Sequence, residues 1–439
     1  MPRSHNDSSP LSTTHGSGFG GVRTLLFIVL GALVACSEIL KQEAPSRVPA
    51  ELLNDPGFAQ LRVRSAVGDF ECALAHYIIS TARVGDEFGD AQLGEAGWDY
   101  DRRTIDPVRG GPYATVSCDG GTLIPGYYVP LSVARFQADE ILRLLEGWTD
   151  EQVASRDSLI AVAAAYAGYS LVYMGETMCS SAIDVGPELT PTDLLTEAEA
   201  RFTRAIEAGT AAAALDLVNL AYVGRARARR GLGNLTGAQA DAELVPAGFV
   251  YTATYSSAVF RRENRVFTQL FRDNASTVQD AFRDLMTEGV ADPRVVVMDG
   301  GQIGQDNTTP VFLTTKYPAI DSPIPIARYE EAQLIIAEAL IAAGSPGSAV
   351  TIIDARRSQL GIPAYSGPTD AVSVQNLLIE ERMRELFLEG HRLADIIRYD
   401  LPLDPAPGTP FPKGSQFGTQ VCFPLPDVER LNNPNIGDS

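Results

Sequence analysis

Apolar positions recur at helical spacing over most of this 439-residue chain. Val67, Phe70, Leu74, Tyr77, Ile78 and Thr81 share one helical face, and Asp55-Pro56 ahead of them pairs a capping side chain with a residue whose fixed φ suits a first turn. The pattern predicts a packed helix over about 58–83. A second helix near 157–178 is rich in small residues (Ala161, Ala163 to Ala165, Ala167, Gly168), which let a neighbour approach closely. Pro191-Thr192-Asp193 starts its partner, where Leu195, Ala198, Phe202, Ala205 and Ile206 share a face and Gly209 closes it.

The same helix-turn-helix unit recurs. Hairpins are expected at about 157–209, 214–246 and 326–359. Ala337 and Gly344 are seven residues apart and Gly344 and Ala349 five; Gly168 to Gly175 repeats the first step, Gly233 to Ala238 the second. This is the small-residue spacing of a tetratricopeptide unit, so the fold class is mainly α, a tetratricopeptide-like helical hairpin scaffold, with a plain helix bundle as the alternative.

Two stretches break the helical period. Residues 85–130 alternate glycine and proline with aromatics, including Trp98, Tyr100, Tyr113, Tyr127 and Tyr128, and residues 247–325 mix short apolar runs with Pro and Gly. Both are expected to be loop-rich inserts, the first a long loop without regular structure and the second with a few short strands that pair. After residue 400 the prolines are dense enough to force extended chain rather than helix.

Composition narrows the function. The 55 Asp and Glu outnumber 35 Lys and Arg, for a formal net charge of -20, which disfavours nucleic acid and other polyanions. Only Lys41, Lys316 and Lys413 are lysines, so the other 32 of the 35 are arginines; genome composition or structural ion pairing explains this most simply.

The amino terminus carries an address. Leu25 to Val34 is an apolar run too short to span a bilayer, follows Arg3 and Arg23, and reads as the hydrophobic part of a secretory signal at 1–35. Leu33-Val34-Ala35-Cys36 resembles a bacterial lipobox, which makes Cys36 the expected lipidation site, 36–56 a lipidated tether and 57–439 a single helical domain. Secretion leaves Cys72, Cys118, Cys179 and Cys422 in an oxidising compartment, where four cysteines allow three pairings and a 118–179 bridge is conceivable.

The densest motif runs from Glu380 to Arg398. Glu381, Glu385 and Glu389 are one helical step apart, with Arg382, Arg392 and Arg398 available to answer them across a helix that pauses at Gly390. Arg382, Glu385, Glu389, Gly390, Arg392, Asp395 and Arg398 each fall on a matching position of the signature of the SusD/RagB family, which this run resembles. The resemblance continues through Asp86-Glu87, Asp292-Pro293-Arg294, Lys316-Tyr317, Arg328 to Ala339, Phe423 to Pro426 and Asn433-Pro434-Asn435. Leu393-Ala394 departs from it, standing where the family often has aromatic residues. It implies an outer-membrane, cell-surface nutrient-binding lipoprotein that lies as a lid on a TonB-dependent (SusC-like) transporter, binds an oligosaccharide or peptide and performs no chemistry.

No motif introduces a metal, nucleotide or other cofactor, and no catalytic residue is assigned. Glu389, His391 and Asp395 could approach one another, but a buried charge network explains them better. Sugar rings stack on aromatic faces, so Trp98, Tyr100, Tyr113, Tyr127 and Tyr128 are the candidate ligand contacts, with anchoring of the loop as the alternative for each. Arg225, Arg227, Arg229 and Arg230 read as a solvated helix face. Two other functions fit the same features: an extracytoplasmic protein-binding adaptor and an all-helical glycan-cleaving enzyme.

Overall fold

Long apolar faces give long helices. The computed structural model describes residues 52–94, 97–108, 111–119 and 124–436. The apolar run at 25–34, Cys36 and the tether up to residue 51 lie outside them.

The chain is mainly helical. In order come α1 (Ala59–Val84), α2 (Tyr128–Gly147), α3 (Arg156–Thr177), α4 (Pro191–Ala211), α5 (Leu215–Gly231), α6 (Leu235–Ala242), α7 (Tyr329–Ala342), α8 (Pro346–Gln359), α9 (Ala371–Glu385) and α10 (Arg392–Tyr399). α3 with α4, α5 with α6 and α7 with α8 occupy the three spans where the small-residue spacing predicts hairpins. α1 is preceded by a turn in which Asp55 Oδ1 accepts from the Gly57 amide at 2.8 Å. At the start of α4, Thr190 and Asp193 cap each other's amides around Pro191, satisfying donors that a helix start leaves free.

The packing explains the glycines. Phe202 of α4 lies between α3 and α5, its ring edge-on to Tyr169 at 4.9 Å. A Cβ on Gly168 would meet that ring at 2.8 Å, and one on Gly224 would press still closer, so two helices can close on the phenylalanine only where both lack a side chain. α3 is long and apolar enough to cross a membrane, yet 83% of its most apolar 18-residue window is buried, and it is the central core helix here.

The inserts hold short antiparallel pairs. β1 (Phe88–Asp90), β2 (Val250–Ala253), β3 (Ser276–Val278), β4 (Val297–Ile303), β5 (Pro310–Thr314) and β6 (Ile324–Arg328) follow chain order. β1 pairs with β3 in register Phe88↔Val278, β2 with β6 through Ala253↔Ile324, and β4 with β5 through Val297↔Thr314. The first insert is therefore stitched to the second by β1 and β3.

The cysteine pairing differs from the bridge conceivable from sequence. Cys72 of α1 pairs with Cys118, and Cys179, just past α3, pairs with Cys422 in the tail, so Cys118 and Cys179 are not joined. The second bridge works with the backbone: Phe423 N donates to Thr177 O at 2.8 Å, Cys179 N to Phe423 O at 2.9 Å, and the Phe423 ring stacks on Tyr127 at 3.8 Å. The tail is thereby fastened across the end of α3; it is irregular up to Pro426 and then, against the expectation from its prolines, forms a short helix at Asp427–Asn432.

Candidate functional site

The 380–398 motif forms a buried charge network. α9 ends at Glu385, the chain turns through Leu388 (φ 54°) and Gly390 (φ 79°), and α10 begins at Arg392. Gly390 is required twice over: its φ favours glycine, and a Cβ would strike the Tyr77 ring, whose hydroxyl donates to Gly390 O at 2.9 Å.

Arg382, Arg392 and Arg398 do not answer Glu381, Glu385 or Glu389, contrary to the sequence expectation, and within the motif Arg384 meets the exposed Glu380 at 3.2 Å. Arg382 Nε reaches Asp395 at 2.8 Å, Arg398 Nε reaches Glu338 of α7 at 2.7 Å, and Arg392 grips Asp86 with two bonds of 2.9 and 2.8 Å. The glutamates are held from other elements. Glu381 takes Arg294 at 2.5 Å and Arg357 at 2.8 Å, Glu385 takes Arg328 at 2.7 Å and Arg356 at 2.8 Å, and Glu389 takes Arg328 at 3.0 Å and Lys316 at 2.6 Å. Helical spacing brings residues of one helix together, but a carboxylate removed from water is best satisfied by the fork that tertiary packing aims at it.

The arginine-rich stretch of α5 belongs to the same network, correcting its reading as a solvated face. Arg227 and Arg230 are 2% and 3% exposed. Arg230 bridges Glu338 at 2.5 Å and Asp395 at 2.9 Å, and Arg227 pairs with Glu176 in two bonds. Arg225 and Arg229 both hold Asp241 of α6. His391 is buried against Arg227, whose Nη1 donates to its Nε2 at 3.2 Å; burial and the surrounding guanidiniums push the imidazole well below its usual range, so it stays neutral. Glu389, His391 and Asp395 are thus committed to structural partners.

Two acids here are strained electrostatically. Burial pushes Glu87 up to about 8 and Glu331 up to about 7. Glu87 Oε1 accepts from the Leu388 amide at 2.7 Å, and Oε2 has no hydrogen-bond partner among the described residues. A carboxyl whose folded pKa is raised holds its proton longer in the folded state, so its stabilising contribution is full below the unfolded pKa, about 4.3, and falls as pH rises through the folded one. Glu87→Gln keeps the acceptor without the charge. It should leave stability at pH 4 nearly unchanged and raise it at pH 8, as read from urea midpoints at the two pH values; an equal shift at both would contradict this.

Burial also divides the five aromatic candidates. Tyr100, Tyr113, Tyr127 and Tyr128 are 2%, 3%, 0% and 5% exposed, so their rings lie in the core and offer no face to a ligand. Tyr100 donates to Pro125 O at 2.8 Å, and the Tyr127 hydroxyl lies 2.6 Å from Thr177 Oγ1. These are anchoring rings, the alternative the sequence left open. Tyrosine serves both purposes, since one hydroxyl bond satisfies it when buried.

Trp98 differs, being only partly buried in the short helix Trp98–Asp101. Beside it, Arg102 Nη2 donates to Asp99 at 2.8 Å and Arg102 Nε to Thr104 Oγ1 at 2.9 Å, an ordered set of donors and acceptors one turn from the indole. Phe411 of the tail supports the ring at 6.4 Å, and Lys413 Nζ sits 5.8 Å from its centroid. Lys413 was not singled out by its sequence pattern, although its rarity in an arginine-rich chain was an available signal for this contact.

Comparison with known proteins bears on both regions. Residues 308–435 match the model of the SusD family, a span that includes the whole 380–398 motif and Asn433-Pro434-Asn435. No curated protein matches. Among solved structures, a SusD superfamily protein from Bacteroides vulgatus ATCC 8482 superposes with a TM-score of 0.63 at 16% identity, covering 87% of this chain and 98% of the other. A laminarin-binding SusD-like protein gives 0.60 at 16% identity over 87% and 98%. A SusD-like protein from Bacteroides fragilis NCTC 9343 gives 0.65 at 12% identity over 89% and 98%. Residues 308–435 thus carry the sequence pattern of the SusD family, and the chain shares the fold of these SusD-like structures.

Proposed function

We propose that this protein is a surface-exposed outer-membrane lipoprotein, anchored through Cys36, that binds an oligosaccharide and delivers it to a partner TonB-dependent transporter. The observation that carries the reading is the SusD family pattern on a fold shared with proteins named for carbohydrate binding, one of them for laminarin. The net charge of -20 suits a body held by acyl chains rather than by basic contact with lipid headgroups. Binding without chemistry is favoured because the motif's acids are buried in ion pairs.

Trp98 is the proposed stacking surface, with Asp99, Arg102 and Thr104 positioned to meet hydroxyls. The test is a binding screen of residues 37–439 against soluble glycans, laminarin among them, and peptides. One glycan should be retained, and Trp98→Ala should weaken it at least about fivefold, the lower end of the 1–3 kcal/mol typical of a stacked ring. Retention of peptides only, or of no ligand, would refute the oligosaccharide assignment, and an unchanged Trp98→Ala variant would refute the site. Recovery of a large barrel protein with the full-length chain from membranes tests the delivery step.

A further inference from the structure

We propose that Lys413 is the positioning residue of the Trp98 surface: its ammonium is an internal cation around which three distant segments are assembled, in the manner of a bound metal ion. Lys413 Nζ lies 2.6 Å from Asp90 O, 2.8 Å from Asp90 Oδ2, 3.1 Å from Gln92 O and 2.9 Å from Asp306 Oδ2. The four oxygens come from β1 and the chain just beyond it and from the turn ahead of β5, and the ammonium comes from the tail. The Asp90 side chain is fully buried, and those of Asp306 and Lys413 are 6% and 9% exposed.

The residues that carry these oxygens are held by further contacts. The Asp90 amide donates to Asp101 at 2.7 Å, and Arg83 Nη1 stands 3.4 Å from the other Asp90 oxygen. Asp306 accepts from the Thr308 and Thr309 amides at 2.9 Å each, and its own amide donates to Ala91 O at 3.1 Å. Oxygens converging on one point suit a compact charge; a planar guanidinium spreads its donors over a fork and cannot replace it. This accounts for a lysine at 413 in a chain with only three lysines among its 35 basic residues.

The link to Trp98 is the Gln92 carbonyl. It accepts from Lys413 Nζ and also from Trp98 Nε1, at 3.4 Å, while the ammonium lies near the indole face. Loss of the cation leaves two buried carboxylates facing each other and frees the carbonyl that orients the ring. Calcium takes flexible oxygen cages of six to eight ligands, at about 2.3–2.6 Å, so it can enter the space left by a truncated side chain with water completing its shell.

The consequence for glycan capture rests on the proposed function, whereas the cage itself can be tested without any glycan. Trp98 and Trp148 are the only tryptophans, so a Trp148→Phe background makes emission report Trp98 alone. In that background, EDTA and Ca2+ should change neither emission nor Tm. Lys413→Ala should red-shift the emission and lower Tm, with both restored by about 1 mM Ca2+, the range of loosely built extracellular calcium sites. Lys413→Arg should show the loss without the rescue. An unshifted Lys413→Ala emission, or a shift that Ca2+ does not reverse, overturns the proposal. Should that variant fail to fold, acetylation of the unsubstituted protein mapped by mass spectrometry decides instead. Lys413 should react at least tenfold more slowly than in the urea-unfolded chain, and equal rates overturn the assignment.

Discussion

Asp395→Ala should lower the stability of this protein by about 3–5 kcal/mol, the usual consequence of removing one partner from a buried ion pair. Asp395 is 3% exposed and receives Arg382 from α9 and Arg230 from α5 at 2.8 and 2.9 Å. Arg382 is 2% exposed, it reaches Asp395 through Nε, and its Nη1 has no hydrogen-bond partner among the described residues, so the substitution leaves a guanidinium in the core without this counter-charge. Arg230 keeps Glu338. Replacing the pair together, as Arg382→Met with Asp395→Leu, should recover much of the loss because no charge is then stranded. Urea unfolding of the three proteins checks this; a single variant no less stable than the double would contradict it. The pH dependence supplies a sign. Burial pushes the Asp395 carboxyl up, but the two guanidiniums prevail and hold it below the usual carboxylate range. Its contribution is therefore present above the unfolded pKa, about 3.9, and is lost as pH falls below that value, and Asp395→Ala should flatten the acid limb of the stability profile.

Opening Cys179–Cys422 by alanine substitution at both positions should cost about 5 kcal/mol, and opening Cys72–Cys118 about 4 kcal/mol, on the loop-entropy account of cross-links. The bridges span 243 and 46 residues, and the longer loop has more freedom to lose in the unfolded chain. The larger effect should also be visible locally. The Cys179–Cys422 bridge fastens the tail where Phe423 stacks on Tyr127 and where Lys413 enters its oxygen cage, so its removal should raise hydrogen exchange along 401–425 before the helices open. Equal stability losses for the two bridges would argue that native-state contacts rather than loop closure set their worth.

Sequence alone determined what is local. Helical period, the Pro191 start, the small residues of α3 and the spacing within three helical pairs all act within a few turns of one another, so a mainly helical, tetratricopeptide-like fold was legible before any coordinates. The Glu380 to Arg398 run was legible as a charge network for the same reason. Tertiary structure decided the partners. Arg382, Arg392 and Arg398 turned to Asp395, Asp86 and Glu338, while the glutamates took Arg294, Arg328, Arg356, Arg357 and Lys316. Burial removes water as the competing partner and makes geometry across elements the deciding term, and no spacing along the chain encodes that geometry. The cysteine pairs and the separation of Trp98 from four core tyrosines were hidden for the same reason: which faces meet is a property of the packed chain.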